Sequence, residues 1–351
     1  MRIDKIFIEQ QVLQHPQTQR VIAAFAKSPI HEIAKVEDVF ERARKPYLQK
    51  RDALNLFIGK KEGQLVKPAP EAYGVSGEPH YYFVHAYNCI YECEYCYLQG
   101  YFQSPDLVMF VNHDEIISEI RTVAGAHSAN EMVWFHAGEF SDSLALSHIT
   151  REWEQYWDAF AEMPNAKLEL RTKSVNIKSI MDLQPIENIV LTYSMSPAEA
   201  SRKYDRKTPS LSARMKALST LAERKFRLGL HLDPIVYTEN FANDYRDMMT
   251  EIAKNIPENL IEYISLGVVR FSKDSYLEFS RNYPESDLLA AEFVKGMDGK
   301  VRYNRPMRLH ILHTVRQICI DAGIQPHKVY LCMEDVSVPN VNSMEPTGIN
   351  L

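Results

Sequence analysis

The sequence predicts an α/β fold: a partial (β/α)6 barrel with an N-terminal α/β extension and a C-terminal appendage of hairpin, helix and strand. Three observations carry that prediction. From residue 80 onward, short apolar runs alternate with longer amphipathic stretches, the pattern of parallel strands with helices packed outside. Six such units follow one another before residue 270. The 351 residues, 45% hydrophobic and 25% charged, are ordinary globular values and suffice for a large core with a small appendage.

The elements follow in order. Met-Arg-Ile-Asp-Lys-Ile-Phe-Ile8 alternates like a strand, and residues 1–76 mix short strand-like and helical patterns before the loop-prone Lys67-Pro-Ala-Pro-Glu-Ala-Tyr-Gly-Val-Ser-Gly77. Expected barrel strands are 80–86, 131–136, 167–172, 188–194, 226–232 and 261–269, with helices near 113–124, 145–162, 175–183, 210–224 and 239–256. Past residue 270, Cys319 falls in an apolar helical pattern and reads as core, and Lys328-Val-Tyr-Leu-Cys-Met-Glu334 reads as a strand. The expected divisions are 1–79, 80–270 and 271–351.

The net charge of −6 argues mildly against a protein that coats nucleic acid non-specifically, while leaving room for a local basic groove. No run of about 18 apolar residues is present, and the N-terminus lacks the apolar core of a signal peptide. With three of five cysteines committed to one motif, a reducing compartment, the cytoplasm, is expected.

That motif is Asn88-Cys-Ile-Tyr-Glu-Cys-Glu-Tyr-Cys-Tyr97, placing Cys89, Cys93 and Cys96 directly after the first expected barrel strand. In such barrels the chemistry sits at the C-terminal strand ends. A 4Fe–4S cubane takes thiolate ligands, and three of them leave one iron open to a small molecule. A zinc site using His85 is formally possible, but no second C-x2-C pair exists to complete the usual arrangement, and His85 reads as a packed strand residue. A disulfide is disfavoured by the tight spacing.

The C-x3-C-x2-C spacing, with Tyr95 before the last cysteine, resembles the radical S-adenosylmethionine (AdoMet) superfamily. That resemblance implies AdoMet on the open iron, cleaved to a 5′-deoxyadenosyl radical. Ala137-Gly138-Glu139, after the second strand, looks like the superfamily's Gly-Gly-Glu element, in which a carboxylate accepts hydrogen bonds from the AdoMet ammonium. Lys173 and Ser194, ending the third and fourth strands, are further candidates for AdoMet contact, read otherwise as a solvated lysine and a helix cap.

A closer resemblance is to the spore photoproduct lyase family. It rests on Cys96-Tyr-Leu-Gln99, Val111-Asn-His-Asp-Glu-Ile116, Ser141-Asp142, Arg171-Thr-Lys173, Tyr193-Ser194, Asp233-Pro-Ile-Val-Tyr237, Arg270-Phe-Ser-Lys273 and Asn282-Tyr-Pro284. It implies reversal of a thymine dimer in DNA by the deoxyadenosyl radical, with Tyr95 and Tyr97 beside AdoMet, Tyr97 in a hydrogen-atom relay, and Ser141 and Asp142 at the cofactor. It also implies an electron donor such as flavodoxin or ferredoxin, and Arg302 and Tyr303, with Arg305, on a hairpin that wedges into the duplex. The family's hydrogen-donor cysteine is replaced by Glu139, whose O–H bond is too strong for the task. Cys332 is a candidate stand-in, read otherwise as buried core. A basic stretch, Arg42-Ala-Arg-Lys-Pro-Tyr-Leu-Gln-Lys-Arg51, offers phosphate and stacking contacts or a solvated helix face. Two other functions stay open: a radical AdoMet enzyme acting on RNA, peptide or a small metabolite, and a non-enzymatic metal-cluster protein that binds nucleic acid.

Overall fold

Strands Val133–Ala137 and Ile189–Ser194 are buried along their whole length. This is what near-continuous apolar runs become in a parallel sheet covered on both faces. In the computed structural model, which describes residues 2–42, 45, 47–48, 53–70, 73–74, 77–296, 298–334 and 338, these strands lie in an eight-stranded sheet. From one edge its order is Val329–Leu331, Ile261–Val268, Arg227–Ile235, Ile189–Ser194, Ala166–Thr172, Val133–Ala137, His80–Phe83 and Val66–Pro68. Neighbours are parallel throughout, except that Val66–Pro68 runs antiparallel to His80–Phe83. The six expected strands are therefore adjacent in chain order, and the sheet is a partial barrel that stays open.

The outer helices bury one stripe each. His113–Gly125 buries Ile116, Ile120 and Ala124, and Phe241–Asn255 buries Phe241, Tyr245, Met248, Met249 and Ile252, both at helical spacing. Ser210 caps Leu211–Glu223 by accepting the Ala213 N–H at 3.3 Å. Arg305–Asp321 is capped by Asn304 and buries Cys319, in the core as expected.

Several expectations need correction. The helix expected over 145–162 is two, Ser147–Thr150 and Trp153–Ala161, because Arg151 takes a left-handed φ of 54° that ends the first. The helix expected over 175–183 shrinks to Lys178–Met181. The divisions at residues 79 and 270 do not follow the sheets. A second sheet, in the order Ile30–Ile33, Arg2–Glu9, Ala53–Gly59, Leu107–Phe110 and Ala86–Tyr87, takes its last two strands from the barrel region. Its core includes Ile6, Ile8, Leu56, Ile58 and Met109. Conversely, Val66–Pro68 and Val329–Leu331 join the two edges of the barrel sheet. In the basic stretch 42–51, residues 43, 44, 46 and 49–51 lie outside the described residues.

Candidate functional site

The cysteine loop hangs from the second sheet and is tied to the barrel. Asn88, at φ 61°, donates its side-chain amide to the carbonyls of Ser104 and Asp106 at 2.8 and 2.7 Å; asparagine is among the few side chains that tolerate this conformation. Glu92–Cys93 pairs antiparallel with Asp205–Arg206, Cys93 opposite Asp205. The Cys96 N–H donates to the Cys93 carbonyl at 3.0 Å, closing the turn between them. Buried Glu94 and Glu92 receive Arg206 and Lys207, with N–O distances of 2.5 and 2.9 Å.

Cys89, Cys93 and Cys96 line one side of a cavity of about 560 Å³ at the C-terminal ends of the barrel strands. Tyr95, Tyr97, Gly138, Glu139, Ser141 and Asp142 line the same cavity, as do Lys173, Ser194 and Cys332. The sequence thus brought twelve of its candidates to one place, from four strand ends and the C-terminal segment. Ala137 is buried in its strand instead of lining the cavity. His85 lies apart, against a separate small cavity and 3.7 Å from Glu152. No three described His, Cys, Asp or Glu side chains converge on a single-ion position. Cubane corners belong to different irons, so the three thiols need share only the cavity wall. Burial pushes the Cys93 thiol well up, and the ammonium of Lys173 acts against that shift.

Gly138 has φ +99°, and a Cβ there would come within 2.7 Å of the Ser143 hydroxyl and 3.1 Å of the Arg171 carbonyl oxygen. Only glycine fits this turn without strain. Glu139, the next residue, accepts through Oε1 from Arg171 at 3.2 Å and from the Tyr73 hydroxyl; no described residue bonds its Oε2. Its backbone carbonyl accepts from the Tyr97 hydroxyl. Arg171 also donates to Glu169 at 2.9 Å. Burial alone would push the Glu169 carboxyl up, but Arg171 and His136 hold it well below the usual range. Tyr95 donates to Asp205, which is ion-paired with fully buried Arg214 at 2.8 Å.

Asp142 is placed at the cavity but is taken up by its own loop. Its Oδ1 accepts from the N–H groups of Leu144 and Ala145 and from the Thr172 hydroxyl, and its Oδ2 from the Lys173 N–H at 2.7 Å. It therefore shapes the loop and does not present a free carboxylate to a ligand. Ser141 and Ser194 keep hydroxyls that no described residue bonds.

Arg302 and Tyr303 are turned inward. Arg302 is 1% exposed, 2.7 Å from Asp298 and 3.6 Å from Glu334, and Tyr303 is 2% exposed with its hydroxyl accepting from the Tyr237 N–H at 3.0 Å. They hold the hairpin of Phe293–Lys295 and Val301–Tyr303 against the barrel and cannot reach into a duplex. Arg305 is exposed at the start of its helix, outside the cavity.

Sequence reasoning missed the far wall. Asp233 and Arg270 form a two-pronged ion pair, both contacts 2.8 Å, beside His231, and all three line the cavity. Burial pushes the Asp233 carboxyl up, yet Arg270 and His231 carry it below the usual range. Burial lowers the His231 pKa to about 3 and raises that of Cys332 to about 12, so the one is a neutral imidazole and the other an intact thiol at neutral pH. Asp233 and Arg270 stood in matched motifs, and that was the available signal.

The family model described as spore photoproduct lyase matches residues 2–305. The spore photoproduct lyase of Bacillus subtilis is 24% identical over 206 residues, 58% of this chain and 60% of that protein. A Geobacillus spore photoproduct lyase is 22% identical over the same shares. The match thus spans less than two thirds of these relatives. Among solved structures, a spore photoproduct lyase variant with bound AdoMet and dinucleoside spore photoproduct superposes with a TM-score of 0.79 at 18% identity, covering 93% of this chain and 97% of that one. The lyase complexed with dinucleoside spore photoproduct gives 0.76 over the same shares, also at 18% identity. At that identity the likeness is one of fold.

Proposed function

The chain belongs to the spore photoproduct lyase family, and we propose that it is a radical AdoMet enzyme that repairs a UV-type thymine lesion of DNA. The observation that carries this reading is one cavity walled by Cys89, Cys93 and Cys96 and by the intact thiol of Cys332. Cys89, Cys93 and Cys96 would hold a 4Fe–4S cluster with one iron open to AdoMet. Bound together, these cofactors supply an electron and a 5′-deoxyadenosyl radical. The open Oε2 of Glu139 suits the AdoMet ammonium, and the free hydroxyls of Ser141 and Ser194 suit its polar groups. Tyr95, fixed through Asp205 and Arg214, orients the cysteine loop against the cavity.

Where the family has its donor cysteine, Glu139 is committed to Arg171 and Tyr73. Cys332 takes over the donor role. Its S–H bond would break homolytically and its hydrogen atom pass to a carbon radical of the substrate; the thiyl would recover a hydrogen atom from the Tyr97 hydroxyl, and the tyrosyl in turn one from the methyl group of 5′-deoxyadenosine. A cytoplasmic one-electron carrier such as flavodoxin or ferredoxin is the partner this chemistry requires. Burial of Arg302 and Tyr303 withdraws the duplex-wedging argument and favours, as a second reading, a substrate other than duplex DNA. Anaerobic reconstitution, followed by assay for 5′-deoxyadenosine and repaired thymine with and without UV-irradiated DNA, separates the two. Repaired thymine establishes the lyase; 5′-deoxyadenosine without thymine from any dimer leaves RNA, peptide or metabolite.

A further inference from the structure

The cavity is lined by four cations, and two of them are ion-paired. Arg171 pairs with Glu139 and Glu169, and Arg270 is gripped by both oxygens of Asp233. Lys173 lies 5.5 Å over the Tyr95 ring, and the titratable or charged groups around it are Cys93, Asp205, Arg214 and Cys96. Lys300 is the fourth. Its ammonium, like that of Lys173, has neither a hydrogen bond nor an ion pair with any described residue, but unlike Lys173 it has no aromatic ring beneath it.

Its position is set by the hairpin turn. The Gly296 N–H donates to the Lys300 carbonyl at 2.8 Å, Gly299 takes φ +77°, and the Lys300 N–H donates to Asp298 Oδ1 at 3.2 Å. The Asp298 carboxylate is hydrogen-bonded to buried Arg302 at 2.7 Å and offsets the lysine's charge only in part. The charged or titratable groups around the ammonium are Arg270, Asp298, Arg302 and Cys332. Half-burial and the two nearby guanidinium groups push its pKa down, the signature of a cation short of an anion. A desolvated charge without a partner is costly.

We propose that Lys300 is a phosphate-binding residue of this cavity, taking the internal phosphodiester of a dinucleotide lesion while the base dimer lies beside Cys332. The inference rests on the photoproduct reading above and goes beyond it by assigning the backbone contact. A cofactor carboxylate held at the cysteine wall would be met by Lys173, whose neighbours include Cys93 and Cys96, whereas no cluster cysteine neighbours Lys300. A phosphodiester is singly charged and, among common substrate groups, is the one a dinucleotide carries between its bases.

The test is equilibrium binding to cluster-loaded, AdoMet-saturated protein kept unreduced, so that no turnover occurs. Three probes are used: the dinucleoside spore photoproduct without phosphate, the same dimer with its internal phosphate, and the dimer with a 5′ phosphate only. Wild-type protein should prefer the internal-phosphate form about tenfold over the phosphate-free form. Lys300→Met should abolish that preference and leave phosphate-free binding within about twofold, while Lys300→Arg should keep it. Equal loss of every probe in Lys300→Met, a surviving preference, or a preference for the 5′ phosphate overturns the assignment. So does weakened AdoMet binding in Lys300→Met, which would give the lysine to the cofactor. Wild-type binding without any phosphate preference sinks Lys300 alone; no binding of any dimer sinks the photoproduct reading together with it.

Discussion

Arg171 and Glu139 meet at 3.2 Å across the ends of two adjacent barrel strands, Ala166–Thr172 and Val133–Ala137, and the contact uses only one oxygen of the carboxylate. The guanidinium holds the carboxylate at the cavity wall and leaves its other oxygen for a ligand. In Glu139→Ala a charge-assisted hydrogen bond of about 1.5–3 kcal/mol is lost. AdoMet affinity should fall about tenfold or more, with iron content unchanged; unaltered affinity assigns Glu139 to the substrate or to loop structure.

The three cysteines should act as a unit. Wild-type protein prepared anaerobically is expected to hold four irons, and the triple Cys89→Ala, Cys93→Ala, Cys96→Ala variant none, with its circular dichroism retained. One equivalent of zinc and no visible absorbance after reconstitution would refute the cluster.

Tyr97→Phe removes a hydroxyl and keeps the ring, and Cys332→Ala removes one sulfur from a buried wall. Both variants should go on forming 5′-deoxyadenosine while product shifts from repaired thymine toward abortive adducts. A wild-type product distribution in Cys332→Ala would return that residue to the core.

Three buried histidines should make the fold acid-sensitive. Burial lowers His85 to about 4 and His113 and His231 to about 3, against an ordinary value of 6.5. The unfolded chain therefore takes up protons below pH 6.5 that the folded one refuses, and stability drops as pH falls from there toward 3. At pH 5 each imidazole costs about 2 kcal/mol relative to pH 7. Glu152, raised by burial to about 7, acts in the opposite direction over the same interval. Urea unfolding at pH 7 and pH 5 should show a net loss, and His113→Gln should reduce it; an unchanged loss would mean that His113 titrates normally.

Arg302→Met should be a stability mutant. Removing one partner from a buried ion pair costs about 3–5 kcal/mol, because Asp298 loses its cation and Glu334 keeps only Arg308. Denaturant melts should register this, and lesion binding per folded molecule should stay unchanged. A binding loss without destabilisation would restore the duplex-wedging role.

Buried parallel strands were legible because a strand covered on both faces must be apolar along its length, as Val133–Ala137 is. The cysteines were legible because a cluster demands close thiols. Charge pairing was not. Whether Arg302 faces DNA or Glu334 depends on a carboxylate 32 positions away, and Asp233 meets Arg270 across 37 positions. Neither distance leaves a local trace. Leu107-Val-Met-Phe110 is as apolar as any barrel strand, and its membership of the other sheet follows from pairing with Ala53–Gly59, which composition does not encode.

The exchange of strands between the two sheets has a mechanical consequence. The cysteine loop leaves the second sheet at Ala86–Tyr87, and the chain re-enters that sheet at Leu107–Phe110, whose other neighbour is Ala53–Gly59. The N-terminal segment is thus the anvil on which the cysteine loop is seated. Cutting it away at residue 79 would cost the barrel sheet only its edge strand Val66–Pro68, but would leave the thiols without the footing that spaces them.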